Sequence, residues 1–354
     1  MFYNIKDGFL PEKEKKPLID RLNSFDYTGF SNVLATHSGI NEEYKTSSKI
    51  VGTITDKRFR MGSENPEQKF ALFSKVLDSI STDKPMRAVA YGGAVKNPYV
   101  TGFEVKIVNN GNTVLKRGKR REPTFEPDIA EKGMLKQLNS LKKEIESNYK
   151  QNSMEIILVT AGELAAQANG TSRKLSLNYE DKLSAMARDY DIEVRDIGCF
   201  YKKKRKNIEK IEQEAKEETE RWFSGLGMDV VQERKHAIKN IYPKEFRENG
   251  EEVDVDDAIK KYKLLHIIDE KIDVFDEWNN TIRLGLVKGN GNKSGRVDIW
   301  PIRKDSITSP WQGTGIEYRD KKGSNVIDVL TPERLQSGYA IDGKILRIGN
   351  ELVI

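Results

Sequence analysis

The sequence predicts an α/β protein, α+β overall, and three observations carry that prediction. Between residues 85 and 222 the segments follow one another as β-β-β-α-β-α-β-α. The run 154–160 (MEIILVT) is apolar without alternation, the pattern of a central strand covered on both faces. Beyond residue 283 the chain turns β-rich and glycine-punctuated, which predicts a small antiparallel sheet or barrel.

The elements follow in order. Residues 1–84 read as an N-terminal α+β extension, with a strand near 49–55 (KIVGTIT). A helix over 65–80 follows, where Phe70, Leu72, Phe73, Val76, Leu77 and Ile80 recur at helical spacings. Three strands come next, over 87–96, 102–109 and 112–117. The Asn109-Asn110-Gly111-Asn112 link between the last two is a hairpin signal. A helix over 126–149 carries Met134, Leu138, Leu141 and Ile145 in one apolar stripe. The strand 154–160 leads to a helical region over 162–189 interrupted by Gly170, then a strand at 191–198 and a charged closing helix. Residues 85–222 form the central domain, with a mixed sheet and flanking helices. Residues 223–282 read as a helical connector, and 283–354 as the C-terminal β module.

Composition narrows the function. With 60 Lys+Arg against 55 Asp+Glu, the net charge of +5 is a weak field in a 354-residue chain. No run approaches the ~18 apolar residues of a membrane span, so the expectation is a soluble protein with no membrane partner. The first residues lack an apolar signal core and there is one Cys, Cys199. Both point to a reducing cytoplasmic setting. Three scattered histidines, His37, His236 and His266, exclude the standard structural zinc sites. No Gly-x-Ser-x-Gly elbow supports a serine hydrolase.

Charge distribution says more than the sum. One basic run comprises Lys116, Arg117, Lys119, Arg120 and Arg121; the other Lys202, Lys203, Lys204, Arg205 and Lys206. Clustered cations in a near-neutral chain suit phosphate, hence nucleic acid. Solvated loops account for such runs equally well. The second run opens the closing helix, where cations oppose the helix dipole. Phe125, Phe200 and Tyr201 offer stacking surface, with core packing as the plainer account.

The element order, together with short motifs, resembles the ribonuclease H-like fold. Segment 89–108 (VAYGGAVKNPYVTGFEVKIV) is similar to that family's first hairpin, through Gly93-Ala94, Asn97-Pro98 and Gly102. Segment 130–138 (AEKGMLKQL) is similar to its first helix, and Ile156–Thr160 followed by Ala161-Gly162 to the strand that ends in Thr-Asp-Ser. The resemblance implies carboxylates that clamp two Mg²⁺ ions. Gly92 and Ala161 stand where two of them belong, and Glu131 alone keeps its place. One carboxylate cannot hold two such ions. Glu131 also shares the inward stripe with Met134, Leu135 and Leu138, so it is either paired or functional. The competing reading is a half-exposed Glu favoured by the helix dipole.

Weaker patterns compete. Glu104-Val105-Lys106, with Asp83 upstream, matches half of a PD-(D/E)xK nuclease core. Asp298 with Glu317 and Arg319 is a fainter version. The stretch 288–296 (KGNGNKSGR) fails the P-loop pattern, because Asn292 precedes Lys293-Ser294. Residues 162–178 have a helix-turn-helix flavour but fit a crossover helix better.

The expectation is a nucleic-acid-binding protein that keeps a ribonuclease H-like centre without its two-metal site and needs no cofactor. Two alternatives stay open. One is a Mg²⁺-dependent nuclease using Glu131 or Glu104 and Lys106. The other is an assembly subunit that meets protein partners through its N- and C-terminal modules.

Overall fold

The computed structural model describes residues 42–62, 66–109, 112–149, 154–162, 170–197, 208–241, 245, 247, 252–271, 281–286 and 296–353. It is a mixed α/β protein with one parallel and two antiparallel sheets. Helices α1 (Glu42–Ile54) and α2 (Pro66–Ser81) lead into β1 (Arg87–Tyr91). A short helix α3 (Pro98–Thr101) precedes the hairpin β2 (Phe103–Asn109) and β3 (Thr113–Arg120). Then come α4 (Ile129–Asn148), β4 (Glu155–Thr160), α5 (Arg173–Arg188) and β5 (Glu193–Asp196). Three helices, α6 (Ile208–Gly225), α7 (Val230–Asn240) and α8 (Val255–Lys271), lead to β6 (Ile282–Gly285) and β7 (Arg296–Asp298). The chain ends with β8 (Thr314–Asp320), β9 (Asn325–Leu330), α9 (Pro332–Ser337), β10 (Tyr339–Ile341), β11 (Gly343–Ile348) and β12 (Glu351–Leu352).

The parallel sheet has the order β5-β4-β1-β6-β7. Ala90 pairs with Leu158 on one side and Leu284 on the other, so β1 is central. Both faces of β1 and β4 are covered, as the apolar run 156–159 requires. One core joins this sheet to α1, α2, α4 and α5, through Ile50, Leu72, Leu138 and Leu183 among others. The predicted stripe Met134, Leu138, Leu141 and Ile145 is fully buried in it. Each such side chain contributes about 1.5–3 kcal/mol relative to exposure.

Three expectations change. The segment 49–55 lies in α1 rather than a strand. Its β-branched residues favour a strand locally, yet Tyr44, Ser47, Ile50, Val51 and Ile54 recur at helical spacing and bury one face. The three strand runs do not form one meander: β1 lies between β4 and β6, while β2 pairs with β3 and β3 with β10 in a separate sheet, order β10-β3-β2. Segments 282–285 and 296–298, expected in the C-terminal module, complete the parallel sheet, with Ile282, Leu284 and Val297 in the main core. Short apolar runs carry no local mark of their partner strand. The helices of 223–282 are therefore part of the crossover from β5 to β6. The remaining tail does form an antiparallel sheet, order β12-β11-β8-β9, over a second core of Phe103, Leu115, Ile316, Leu330 and Leu335.

Candidate functional site

Ligands of open parallel sheets bind beyond the carboxyl ends of the strands, near the point where the crossovers change direction. Here that point lies between β1 and β6. It is filled: a Cβ on Gly92 would lie 2.6 Å from Leu286 Cδ1 and 2.6 Å from the Trp311 ring. Trp311 sits in a 3-10 turn, Pro310–Gln312, tied to Leu286 by the Ser309 hydroxyl at 3.1 Å. Polar groups gather instead on the β1-β4-β5 side, in two layers.

The inner layer is a buried charge cluster. Gly93, at φ +118, turns the chain out of β1 through a conformation that favours glycine. Three residues later Lys96 is only 1 % exposed. Its Nζ lies 2.7 Å from Asp128 Oδ2 and 3.0 Å from Glu131 Oε2. Both carboxylates belong to the start of α4, where they form a capping box. Asp128 Oδ1 accepts from the Ala130 amide at 2.8 Å, and Glu131 Oε2 from the Asp128 amide at 2.8 Å. Asp128 Oδ2 also accepts from the Gly315 amide of β8 at 2.9 Å, and Tyr179 of α5 donates to Glu131 Oε1 at 3.0 Å. Burial works against the charge on Lys96, but the attraction of Asp128 and Glu131 outweighs it and holds the ammonium above its ordinary range. Burial likewise pushes the Glu131 carboxyl up, against the pull of Lys96.

The outer layer is a carboxylate pair. Glu180 follows Tyr179 on α5, and Asp196 ends β5 beside Thr160, the last residue of β4. Thr160 Oγ1 donates to Glu180 Oε1 at 2.5 Å. Gly162 makes room for the pair: a Cβ there would run into the Glu180 carboxylate and lie 3.3 Å from Asp196 Oδ2. Burial and then the neighbouring Asp196 push Glu180 up to about 7, while the Thr160 hydrogen bond opposes the rise. A carboxyl poised there can give or take a proton at neutral pH.

Along the first turns of α5 an open surface depression of about 450 Å³ is lined by Arg173, Lys174, Leu177, Asn178 and Asp181. The first turn of α5 holds no acid, and its two cations oppose the helix dipole. Among the described residues no cluster of three or more His, Cys, Asp or Glu side chains could hold a metal ion. Nor, among those described residues, is any helix long and apolar enough to cross a membrane.

The residues picked out in the sequence are dispersed. Glu131 is 0 % exposed, so the half-exposed reading gives way to the paired one, and both its oxygens are held by protein groups. Gly92 and Ala161 do follow the neighbouring strands β1 and β4, with the Ala161 amide donating to the Gly93 carbonyl at 3.0 Å. The carboxylates at this edge come from Glu180 and Asp196. The run 116–121, expected to enter a loop, is strand as far as Arg120, which pairs with Phe103 across a bulge. Lys116, Arg117, Lys119 and Arg120 are exposed, Arg117 also lying over the Phe103 ring at 4.7 Å, and Arg121 pairs with Glu351. Lys202, Lys203, Lys204, Arg205 and Lys206 lie outside the described residues, as do Phe200 and Tyr201. Phe125 packs on the main core. Glu104 and Lys106 stand on the hairpin, and Asp83 lies in the turn before β1. Asp298 pairs with Arg296 in the parallel sheet, and Glu317 with Arg347 in the C-terminal one.

No family profile and no curated protein matches the sequence. Among solved structures, the crystal structure of the PvcA protein of Pseudomonas aeruginosa is similar, with a TM-score of 0.53 at 15% identity over 81% of this chain and 94% of that one. At that identity the likeness speaks for the fold alone.

Proposed function

We propose that the protein is an enzyme that moves a proton on a small polar molecule bound beyond the carboxyl ends of β1, β4 and β5. One observation carries this reading: Glu180, held near neutrality by burial and by Asp196, stands at that edge of a parallel sheet. Perturbed carboxyls in such a place mark acid–base sites. Glu180 is the general acid or base, Asp196 the neighbour that sets its proton affinity, and Arg173 and Lys174 offer cations to the substrate. The test incubates the protein with polar carbonyl and hydroxy compounds in D₂O and reads deuterium uptake by mass spectrometry. Exchange lost in Glu180→Gln is the expected result. Exchange unchanged in that variant overturns the assignment.

A second reading keeps the nucleic-acid partner. It rests on the hairpin, where Lys106 stands opposite Lys116, both exposed, with Lys119 and Arg120 beyond. Like charges directly opposed on a strand pair weaken it unless an anion lies between. This reading draws on the hairpin's charge. Oligonucleotide binding that weakens steeply with salt supports it; binding indifferent to salt removes it.

A further inference from the structure

We propose that Thr160 is the positioning residue of the carboxylate pair: its hydroxyl, turned toward Glu180, sets how readily that acid gives up its proton. The inference rests on the acid–base reading of the site but is tested without assuming any activity.

The hydroxyl has one hydrogen and two acceptors in reach. Glu180 Oε1 is 2.5 Å from Thr160 Oγ1, and the Arg195 carbonyl oxygen is 3.4 Å away. The nearer contact is the strong one, because a hydrogen bond to a carboxylate is charge-assisted. While Thr160 donates to Glu180, negative charge is favoured there. When Glu180 takes the proton, the hydroxyl can turn to the Arg195 carbonyl, so no donor is stranded in either state. Thr160 is 1 % exposed, so water does not compete freely for it.

The surroundings fix the side chain and leave the hydroxyl free to turn. Thr160 pairs with Asp196 in the parallel ladder, and its carbonyl accepts from the Ile197 amide at 2.9 Å. Its methyl faces Gly93, where a Cβ would come within 3.1 Å of Cγ2. The other charged groups facing Glu180 do not duplicate this role. Asp196 and Asp181 both raise its proton affinity, and Arg195 spends its guanidinium on Glu193 at 2.6 and 2.8 Å. Thr160 supplies the opposing side-chain hydrogen bond, which favours the charged form of Glu180.

The experiment is a carboxyl ¹³C NMR titration of the full chain, with Glu180→Gln assigning the Glu180 signal. Thr160→Val keeps the shape and removes the hydroxyl. The expected result is a rise in the Glu180 midpoint by about one pH unit. Thr160→Ser, which keeps the hydroxyl, returns the Glu180 midpoint close to wild type. An unshifted midpoint in Thr160→Val overturns the proposal, and so does a Thr160→Ser variant that shifts as far as the valine. If the valine variant does not fold, the comparison of Thr160→Ala with Thr160→Ser isolates the hydroxyl in the same way. Failure here leaves the deuterium-exchange test of Glu180 standing, and failure of that test leaves this one readable.

Discussion

Tyr179 and Glu180, consecutive residues on α5, serve different layers of the same edge. Tyr179 is wholly buried and donates to Glu131, whereas Glu180 accepts from Thr160 beside Asp196. Neighbouring helical residues point about 100° apart, so one helix can anchor itself in a charged interior and present an acid outside it. The buried layer joins the segment after β1, the start of α4, α5 and, through Gly315, the C-terminal sheet.

Lys96 is the counter-ion on which the inner layer depends. Lys96→Met keeps most of the side-chain volume but leaves Asp128 and Glu131 buried without their cation. Removing one partner of a buried ion pair costs about 3–5 kcal/mol. Urea unfolding of the variant should show a loss of that size. Adding Glu131→Gln should recover part of it, because the second change removes a stranded charge. A Lys96→Met loss below about 1 kcal/mol would mean that the cluster is solvated.

The Glu180 carboxyl makes stability depend on pH with a definite sign. Its folded value, about 7, lies above the ordinary 4.5. Between those two values the folded state binds more protons than the unfolded chain, so stability falls as pH rises. The stabilising contribution is fully present below about 4.5 and gone above about 7. Thermal unfolding across that window should show a downward slope that Glu180→Gln makes shallower, the raised Glu131 carboxyl supplying the rest. An equal slope in the variant would assign the effect to another group.

Much of the fold was legible in local pattern, and the site was not. The stripe of α4, the hairpin and the apolar run of β4 each carry their own periodicity, which is why they could be placed by spacing. The partner of β1 could not. Its central position depends on β6, some 190 residues further on, and the short runs of β6 and β7 look like any tail strand. Glu131 was legible as an inward acid because it shares a face with Met134, Leu135 and Leu138. Lys96 was not, because nothing in GGAVKNP announces a lysine turned inward. Glu180 and Asp196 lie 16 residues apart on a helix and a strand, and only the β4-β5 pairing brings them together over Gly162. The available signal was Asp196 at the end of a predicted strand next to the β4 carboxyl end.

Gly315 tests how tightly the C-terminal sheet is seated on α4. A Cβ there would lie 2.5 Å from the Ala130 amide nitrogen and 2.6 Å from Asp128 Oδ1. Backbone at a capped helix start cannot give way as a side-chain end can. Gly315→Ala should therefore displace the cap and loosen the Lys96–Asp128 pair together, costing at least about 2 kcal/mol by chemical denaturation. A loss of a few tenths would show that the sheet shifts without disturbing the cap.

The hairpin offers a sharper contrast between stability and binding. Lys106 and Lys116 face each other across β2 and β3, exposed on both strands. Lys116→Glu turns that repulsion into an attraction, and an opposed pair of this kind contributes roughly 0.2–1 kcal/mol. Stability should rise modestly by thermal unfolding. If the hairpin binds nucleic acid, the same change removes a phosphate contact and installs a repulsive charge, so affinity should fall while the fold strengthens. A change at Lys116 that leaves oligonucleotide affinity and its salt slope untouched would take the hairpin out of the interface, since each phosphate contact contributes close to one unit of that slope.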